Sequence, residues 1–308
     1  MKKAIQTLAI YTTIYPGVEP FLGDWYRSLH AQEDRGFQLW IGLDTMSIAD
    51  AVDAMGVDPA ANWIQFSSGS TPAQIRQLAL SKIVETCDGV ILVDSDDVLH
   101  PSRVSGARAA LQTSDLVGCP LRLVDQDGRD LGATFELPSN AKLDEVLPRY
   151  NIFGLSNSAY RSAQLRQCLP IPSEVRIVDW FLATKAWLVG ARMLFETVVR
   201  MDYRQHSANM TRVRPPFDPR QIIRDTECVR HHFQTLRSAL PFEGAMAERI
   251  ACLNRVAADV ELFQRQVVRQ PDPLERYTRA LNDLKIEPLW WSSVAHPSLQ
   301  YMWNSHGD

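Results

Sequence analysis

Through about residue 115 short apolar runs alternate with stretches of helical period. Leu8–Tyr11, Phe37–Leu43, Trp63–Phe66 and Val90–Val93 have strand length and are bounded by Gly, Asp or Ser. Between them Glu19–His30, Ser47–Met55, Pro72–Thr86 and Pro101–Gln112 read as helices. The third is best marked, because Thr71-Pro72-Ala73-Gln74 places a hydroxyl at the N-cap, proline at N1 and Gln at N3, a capping box. Strand and helix in strict alternation predict an α/β fold, a mostly parallel sheet with helices on both faces. Ligands of such sheets bind beyond the carboxyl ends of the strands, so residues at strand ends are the ones to inspect.

From Asp115 to Arg204 the period is mixed. Asp115–Asp125 and Asp130–Phe135 are expected to form strands joined around Gln126-Asp127-Gly128, a hairpin turn. Asn151–Tyr160 is expected as a further strand, Asp179–Val189 as a helix and Met193–Tyr203 as a last strand. After Arg214-Pro215-Pro216 the pattern turns helical, and Ile250, Leu253, Ala257, Val260, Phe263 and Val267 recur at steps of three or four, one buried stripe. Asp272-Pro273-Leu274-Glu275 reads as a second capping box opening another helix. The expected division is an α/β domain over 1–214, with halves at about 1–115 and 116–214, and a helical C-terminal extension over 215–308.

The chain has 308 residues, 45% hydrophobic and 22% charged, with a formal net charge of −4, which excludes a disordered chain and a highly basic nucleic-acid coat. The charge is divided: residues 1–203 carry net −6 and residues 204–279 net +4, read as solvated helix faces or as a surface for an anionic acceptor, lipid or partner. Five widely spaced cysteines without a CxxC pair argue against a disulfide scaffold or structural zinc. The first residues read as a strand and not a signal peptide, and the longest apolar stretch, Trp180 to Phe195, is broken by Lys185 and Arg192. The expected location is therefore cytoplasmic, with peripheral contact to the inner face of a membrane left open. Trp290, Trp291, Tyr301 and Trp303 are expected to frame an acceptor site, a membrane-facing rim or a dimer contact, or to anchor the tail.

The most informative segment is Val90-Ile91-Leu92-Val93-Asp94-Ser95-Asp96-Asp97. Three carboxylates follow a buried strand, where desolvation and mutual repulsion cost several kcal/mol unless a cation shares the site. Carboxylates suit hard divalent ions, so Mg²⁺ or Mn²⁺ is the expected partner. Capping of the helix that follows needs one carboxylate and not three.

This segment resembles the DxD motif of GT-A glycosyltransferases, and its surroundings resemble the family 2 inverting enzymes. Tyr11-Thr12-Thr13-Ile14-Tyr15 ends the first strand and Asp44 the second, where that family places nucleotide contacts. Arg76 in Gln74-Ile75-Arg76-Gln77 is similar to the family's Arg-Asn helix, with Gln77 in place of Asn. Asn157-Ser158-Ala159-Tyr160-Arg161 resembles its strand-to-helix corner, and Val178-Asp179-Trp180 its Glu-Asp pair, of which only the Asp carries over. Tyr203-Arg204-Gln205-His206-Ser207-Ala208-Asn209 resembles the Tyr-Arg-x-His-x-x-Asn sequence that closes many catalytic domains of the family. The likeness spans about residues 6–212.

The resemblance implies a nucleoside diphosphate sugar of UDP, GDP or dTDP type as donor, and as acceptor a hydroxyl on a glycan, a lipid-linked glycan or a small molecule. Thr12, Thr13, Tyr15, Asp44, Arg76, Asp94, Ser95 and Arg204 are the implied donor contacts, with Arg204 either pairing a phosphate or bracing the carboxylates. Asp96 and His206 are the implied metal ligands, His206 alternatively bonding the diphosphate or lying on the surface. Asp179 is the implied base for the acceptor hydroxyl, a role compatible with capping the helix it precedes, and Trp180 either stacks on an acceptor sugar or packs in the core. Two other readings remain at this level. Apolar residues followed by Asp94-x-Asp96-x-Val98 also match haloacid-dehalogenase-type phosphatases, with Asp94 as nucleophile. A GT-A-like domain that binds nucleotide sugar or glycan without turnover is the non-enzymatic alternative.

Overall fold

The computed structural model describes residues 4–66 and 69–304. The first half follows the expected alternation: β1 (Leu8–Ile14), α1 (Glu19–His30), β2 (Phe37–Leu43), α2 (Ile48–Met55), β3 (Ala61–Gln65), α3 (Pro72–Thr86), β4 (Gly89–Leu92), the short β5 (Val98–Leu99) and α4 (Arg103–Ala110). The capping box forms, with Thr71 Oγ1 accepting from Gln74 N and the Gln74 side chain accepting from Thr71 N. Every residue of β1 is buried, as a central strand covered on both faces requires.

The second half brings β6 (Leu116–Gly118), β7 (Leu121–Asp125), β8 (Asp130–Phe135), α5 (Leu143–Val146), β9 (Ser158–Arg161), α6 (Ser162–Cys168), α7 (Val178–Leu188), β10 (Met193–Phe195) and β11 (Met201–Gln205). Seven strands form the main sheet in the order β10-β6-β9-β4-β1-β2-β3, and four form a second sheet in the order β5-β11-β7-β8. In the main sheet β9 runs antiparallel to both neighbours and all other pairs are parallel.

Three expected strands are corrected. Asp115–Asp125 and Met193–Tyr203 are each two strands, because the chain leaves the main sheet at Cys119-Pro120 and again after Phe195. Proline has no N–H to continue a ladder, and the segments change sheets as a pair, β10 with β6 in one and β11 with β7 in the other. Of Asn151–Tyr160 only the end is strand. Asn157 Nδ2 donates to Cys119 O and Ile152 O, both at 3.0 Å, and its Oδ1 accepts from Gly154 N at 2.7 Å, so a side chain takes the bonds a ladder would use.

The extension comprises α8 (Pro219–Ala239), α9 (Ala247–Phe263), a π-helical turn over Gln264–Val268, α10 (Pro271–Asp283) and a 3-10 turn over Pro297–Met302. Of the predicted stripe, Leu253, Ala257, Val260, Phe263 and Val267 are buried and Ile250 is half-buried. The second capping box does not form: α10 begins two residues earlier, with Gln270 as N-cap and no side-chain cap. The chain then returns to the sheets, where Trp290 bridges to Asn151 and lies on Gly154, so close that a Cβ on that glycine would collide with the indole. Among the described residues no helix is long and apolar enough to cross a membrane, and all five cysteines are free.

Candidate active site

Beyond the carboxyl ends of β1, β2 and β4 lies a cleft of about 330 Å³ lined by Thr13, Tyr15, Asp44, Arg76, Asp94 and Asp96, with Asp179 on its far side. The carboxylate loop leaves β4 while Val93 N–H still bonds Tyr11 O at 3.0 Å. Ser95 is fully buried and donates to Thr13 O at 2.9 Å, tying that loop to β1. Ser156, a residue the sequence did not single out, sets its hydroxyl between Asp94 Oδ2, at 3.2 Å, and Asp97 Oδ2. Asp97 Oδ1 accepts from Arg204 N at 2.7 Å, so this carboxylate is a buried brace.

Asp96 Oδ2 lies 2.9 Å from His206 Nε2. The other ring nitrogen, Nδ1, accepts from Ala208 N at 3.3 Å, which leaves Nε2 as the nitrogen turned to the carboxylate. Phe21 packs against the imidazole with ring centroids 5.0 Å apart. Among the described residues no group of three or more His, Cys, Asp or Glu forms a complete ligand set. Two donors are nonetheless what a Mg²⁺-type ion asks of a protein when substrate phosphates and water supply the rest. Asp96 and His206 could each offer one donor to such an ion.

Asp179 sits in the first turn of α7, and its cap position is held by Ile177. Its Oδ2 accepts from Asn151 Nδ2 at 2.8 Å and its Oδ1 from Trp180 N at 2.9 Å. Burial raises its pKa above the ordinary carboxylate range, against the opposing effects of those bonds and of the Arg76 charge. Burial and the neighbouring Asp96 likewise push Asp94 up to about 7, and Asp97 is raised well above its usual value by the same two causes. Arg76 on α3 is the cation facing Asp94 and Asp179. Its Nη1 holds Pro72 O at 3.4 Å, and its Nε is buried without a partner among the described residues.

Two expected donor contacts, Thr12 and Ser95, lie off the cleft, and Arg204 and Trp180 each take one of the two places expected for them. Thr12 is buried and does not line the cleft, because alternate strand residues face opposite sides of the sheet and Thr13 takes the cleft side. Ser95 is likewise turned inward. Arg204 is 2% exposed and braces the loop in place of pairing a phosphate: Nε donates to Asp96 O at 2.8 Å, Nη1 to Gln126 O at 2.7 Å and Nη2 to Asp24 Oδ2 at 3.2 Å, over the Phe21 ring. Trp180 is core, donating to Leu147 O at 3.0 Å and stacked on His232 at 4.1 Å. The indoles on the cleft belong to Trp290 and Trp291, for which the aromatic cluster near the C-terminus was the signal. Trp290 donates to Tyr203 Oη at 3.1 Å and packs on Phe135. Asn151 and Arg176 also line the cleft, and no sequence signal marked either.

No protein-family model and no curated protein matches the chain. Solved structures do. A mannosyltransferase from Pyrobaculum calidifontis, PcManGT in complex with GDP-Man and Mn²⁺, superposes with a TM-score of 0.57 at 14% identity, over 91% of this chain and 74% of its own. S. aureus TarS 1-349 with UDP-GlcNAc gives 0.54 at 18% identity, over 89% and 87%, and its complex with UDP gives 0.54 at 16%, over 84% and 71%. At such identities the likeness establishes the fold. It is the GT-A fold of the nucleotide-sugar glycosyltransferases, with the cleft at the carboxyl ends of the parallel strands, and nothing in it supports the phosphatase alternative.

Proposed function

We propose that the protein is a metal-dependent, inverting glycosyltransferase that moves a sugar from a nucleoside diphosphate donor to an acceptor hydroxyl. The observation that carries this reading is the set of Asp94, Asp96 and Asp179 around Arg76 in one cleft of a GT-A sheet. Solved neighbours that hold UDP, UDP-GlcNAc and GDP-Man with Mn²⁺ support it.

In this reading Thr13, Tyr15, Asp44 and Asp94 receive the nucleoside part of the donor, and Arg76 offsets negative charge as the diphosphate approaches. Asp96 and His206 would hold Mg²⁺ or Mn²⁺, which supplies Lewis-acid stabilisation of the leaving diphosphate. Asp179 accepts the proton of the acceptor hydroxyl as that oxygen attacks the anomeric carbon from the face opposite the departing diphosphate. Its desolvation makes it a stronger base than a solvated carboxylate, and Asn151 fixes which oxygen lone pairs remain for the proton. Trp290 and Trp291 wall the acceptor end. A catalytic region ending near 214, followed by a helical extension, belongs to this proposal, as does a cytoplasmic location, which the five free thiols favour.

The test is thermal unfolding with UDP, GDP and dTDP, each with Mn²⁺ and with EDTA, followed by turnover of the matching sugar donors. Saturation at about 100 times Kd adds roughly 2.7 kcal/mol, a readable shift. Metal-dependent stabilisation by one nucleotide, with sugar transfer from its donor, is expected; the absence of both would overturn the assignment.

A further inference from the structure

Next to the donor cleft lies a second one of about 520 Å³, within the size range of small-molecule sites. The two share Asn209, Met210 and Thr211, and His206 on the wall of the second lies 2.9 Å from Asp96 on the wall of the first, so a molecule in the second cleft reaches the end of the first where these two side chains meet. Met210 on this shared rim is 65% exposed.

Three arginines line the second cleft: Arg212, Arg214 and Arg224. Arg212 spends one nitrogen on Pro216 O at 2.8 Å and Arg214 one on Leu131 O at 3.3 Å, which leaves the rest of each guanidinium fork unused by these contacts. The Arg224 side chain makes no hydrogen bond among the described residues, although its charge acts on the buried Asp225 beside it. The two carboxylates on the wall are engaged locally. Asp125 Oδ1 accepts from Asp127 N at 2.9 Å and Arg129 N at 2.8 Å, and Asp218 caps α8 through Gln221 N at 2.9 Å. The amino end of that 21-residue helix opens on the same cleft and adds positive potential.

We propose that this cleft binds an anionic group, phosphate or carboxylate, on the acceptor, so that the acceptor hydroxyl is presented to the reacting centre by a charged anchor. The inference rests on the glycosyl-transfer reading and deepens it by giving the acceptor a chemical class. Arginine forks match both oxyanions, and no arginine of the cleft lies among the donor-cleft residues.

The test uses the full chain in EDTA, so that no metal draws anions to Asp96, with tripolyphosphate, trigalacturonate and neutral maltotriose as probes in calorimetry. At least one anion is expected to bind, to weaken as salt rises, and to lose at least tenfold in affinity in Arg224→Gln and in Arg212→Gln/Arg224→Gln. Maltotriose is expected not to bind. Tripolyphosphate alone marks a phosphate-bearing acceptor and trigalacturonate alone a carboxylated one. UDP and GDP affinities with Mn²⁺ are measured on the same variants and are expected to stay within twofold. Anion binding that is absent from the wild type or indifferent to both variants overturns the proposal, as does nucleotide affinity falling in step with anion affinity, which would make the cleft part of the donor site. A chain that binds neither nucleotide fails the parent reading instead, so the two failures are distinguishable.

Discussion

Asn151 donates its side-chain amide to Asp179 Oδ2 at 2.8 Å, joining a cleft loop to the first turn of α7. With Trp180 N on the other oxygen, the carboxylate is held in one orientation while burial keeps it basic. A group whose only task was to start a helix would not need the second anchor.

Asp179→Asn is the direct test of the base. Loss of general-base assistance costs about 10²–10⁴-fold in rate. Transfer should fall by that much while UDP or GDP affinity, measured by calorimetry with Mn²⁺, stays within about twofold. An equal loss in both would make Asp179 a donor-binding residue.

The rate should also depend on pH in a direction set by burial. Asp179 acts only when ionised, and its pKa lies above the ordinary carboxylate value, so kcat/KM should rise with pH until that raised pKa is passed. The Asn151 bond favours the charged form. Asn151→Ala should therefore move the acidic limb to higher pH; an unmoved limb would assign it to another group.

Asp96→Ala and His206→Ala separate metal from nucleotide. Asp96→Ala should abolish the Mn²⁺-dependent part of nucleotide stabilisation in thermal unfolding, and His206→Ala should weaken it. Nucleotide stabilisation that remains metal-dependent in both variants would place the ion elsewhere.

Arg204 is expected to act on stability. Its guanidinium bonds two main-chain oxygens and Asp24 from a buried position, and leaving a buried acceptor unsatisfied costs about 1–3 kcal/mol. Arg204→Ala should lower Tm sharply even without nucleotide, whereas a phosphate contact would leave the unliganded Tm near wild type. Arg204→Lys should recover little, because an ammonium cannot serve three divergent acceptors as the planar fork does.

Local signals marked some elements to the residue. Glu19–His30, Phe37–Leu43 and Pro72–Thr86 have the bounds their patterns predicted, since strand length, a capping box and a proline at a helix start are properties of a few adjacent residues. The acidic run after Val93 was equally legible, because carboxylates crowded after a buried strand carry a desolvation and repulsion cost wherever the chain folds. Asp94, Asp96, Asp179 and Arg76 could be named before the cleft that gathers them was known.

Other features depended on partners far along the chain. Whether Asp115–Asp125 is one strand or two is decided by β10 and β11, which pair with its two parts in different sheets. Arg204 is a brace because Asp24, 180 residues earlier, and the Asp96 main chain lie within its reach. Trp180 became core because α8 places His232 on its ring, while Trp290 reached the cleft by pairing with Asn151 and lying on a glycine. Sequence determined which chemistry was present and which short segments were strand or helix, because those follow from side-chain type and local period. Tertiary structure decided which face each side chain turned and what it met, because burial and hydrogen-bond partners are set by segments distant in sequence that only packing brings together.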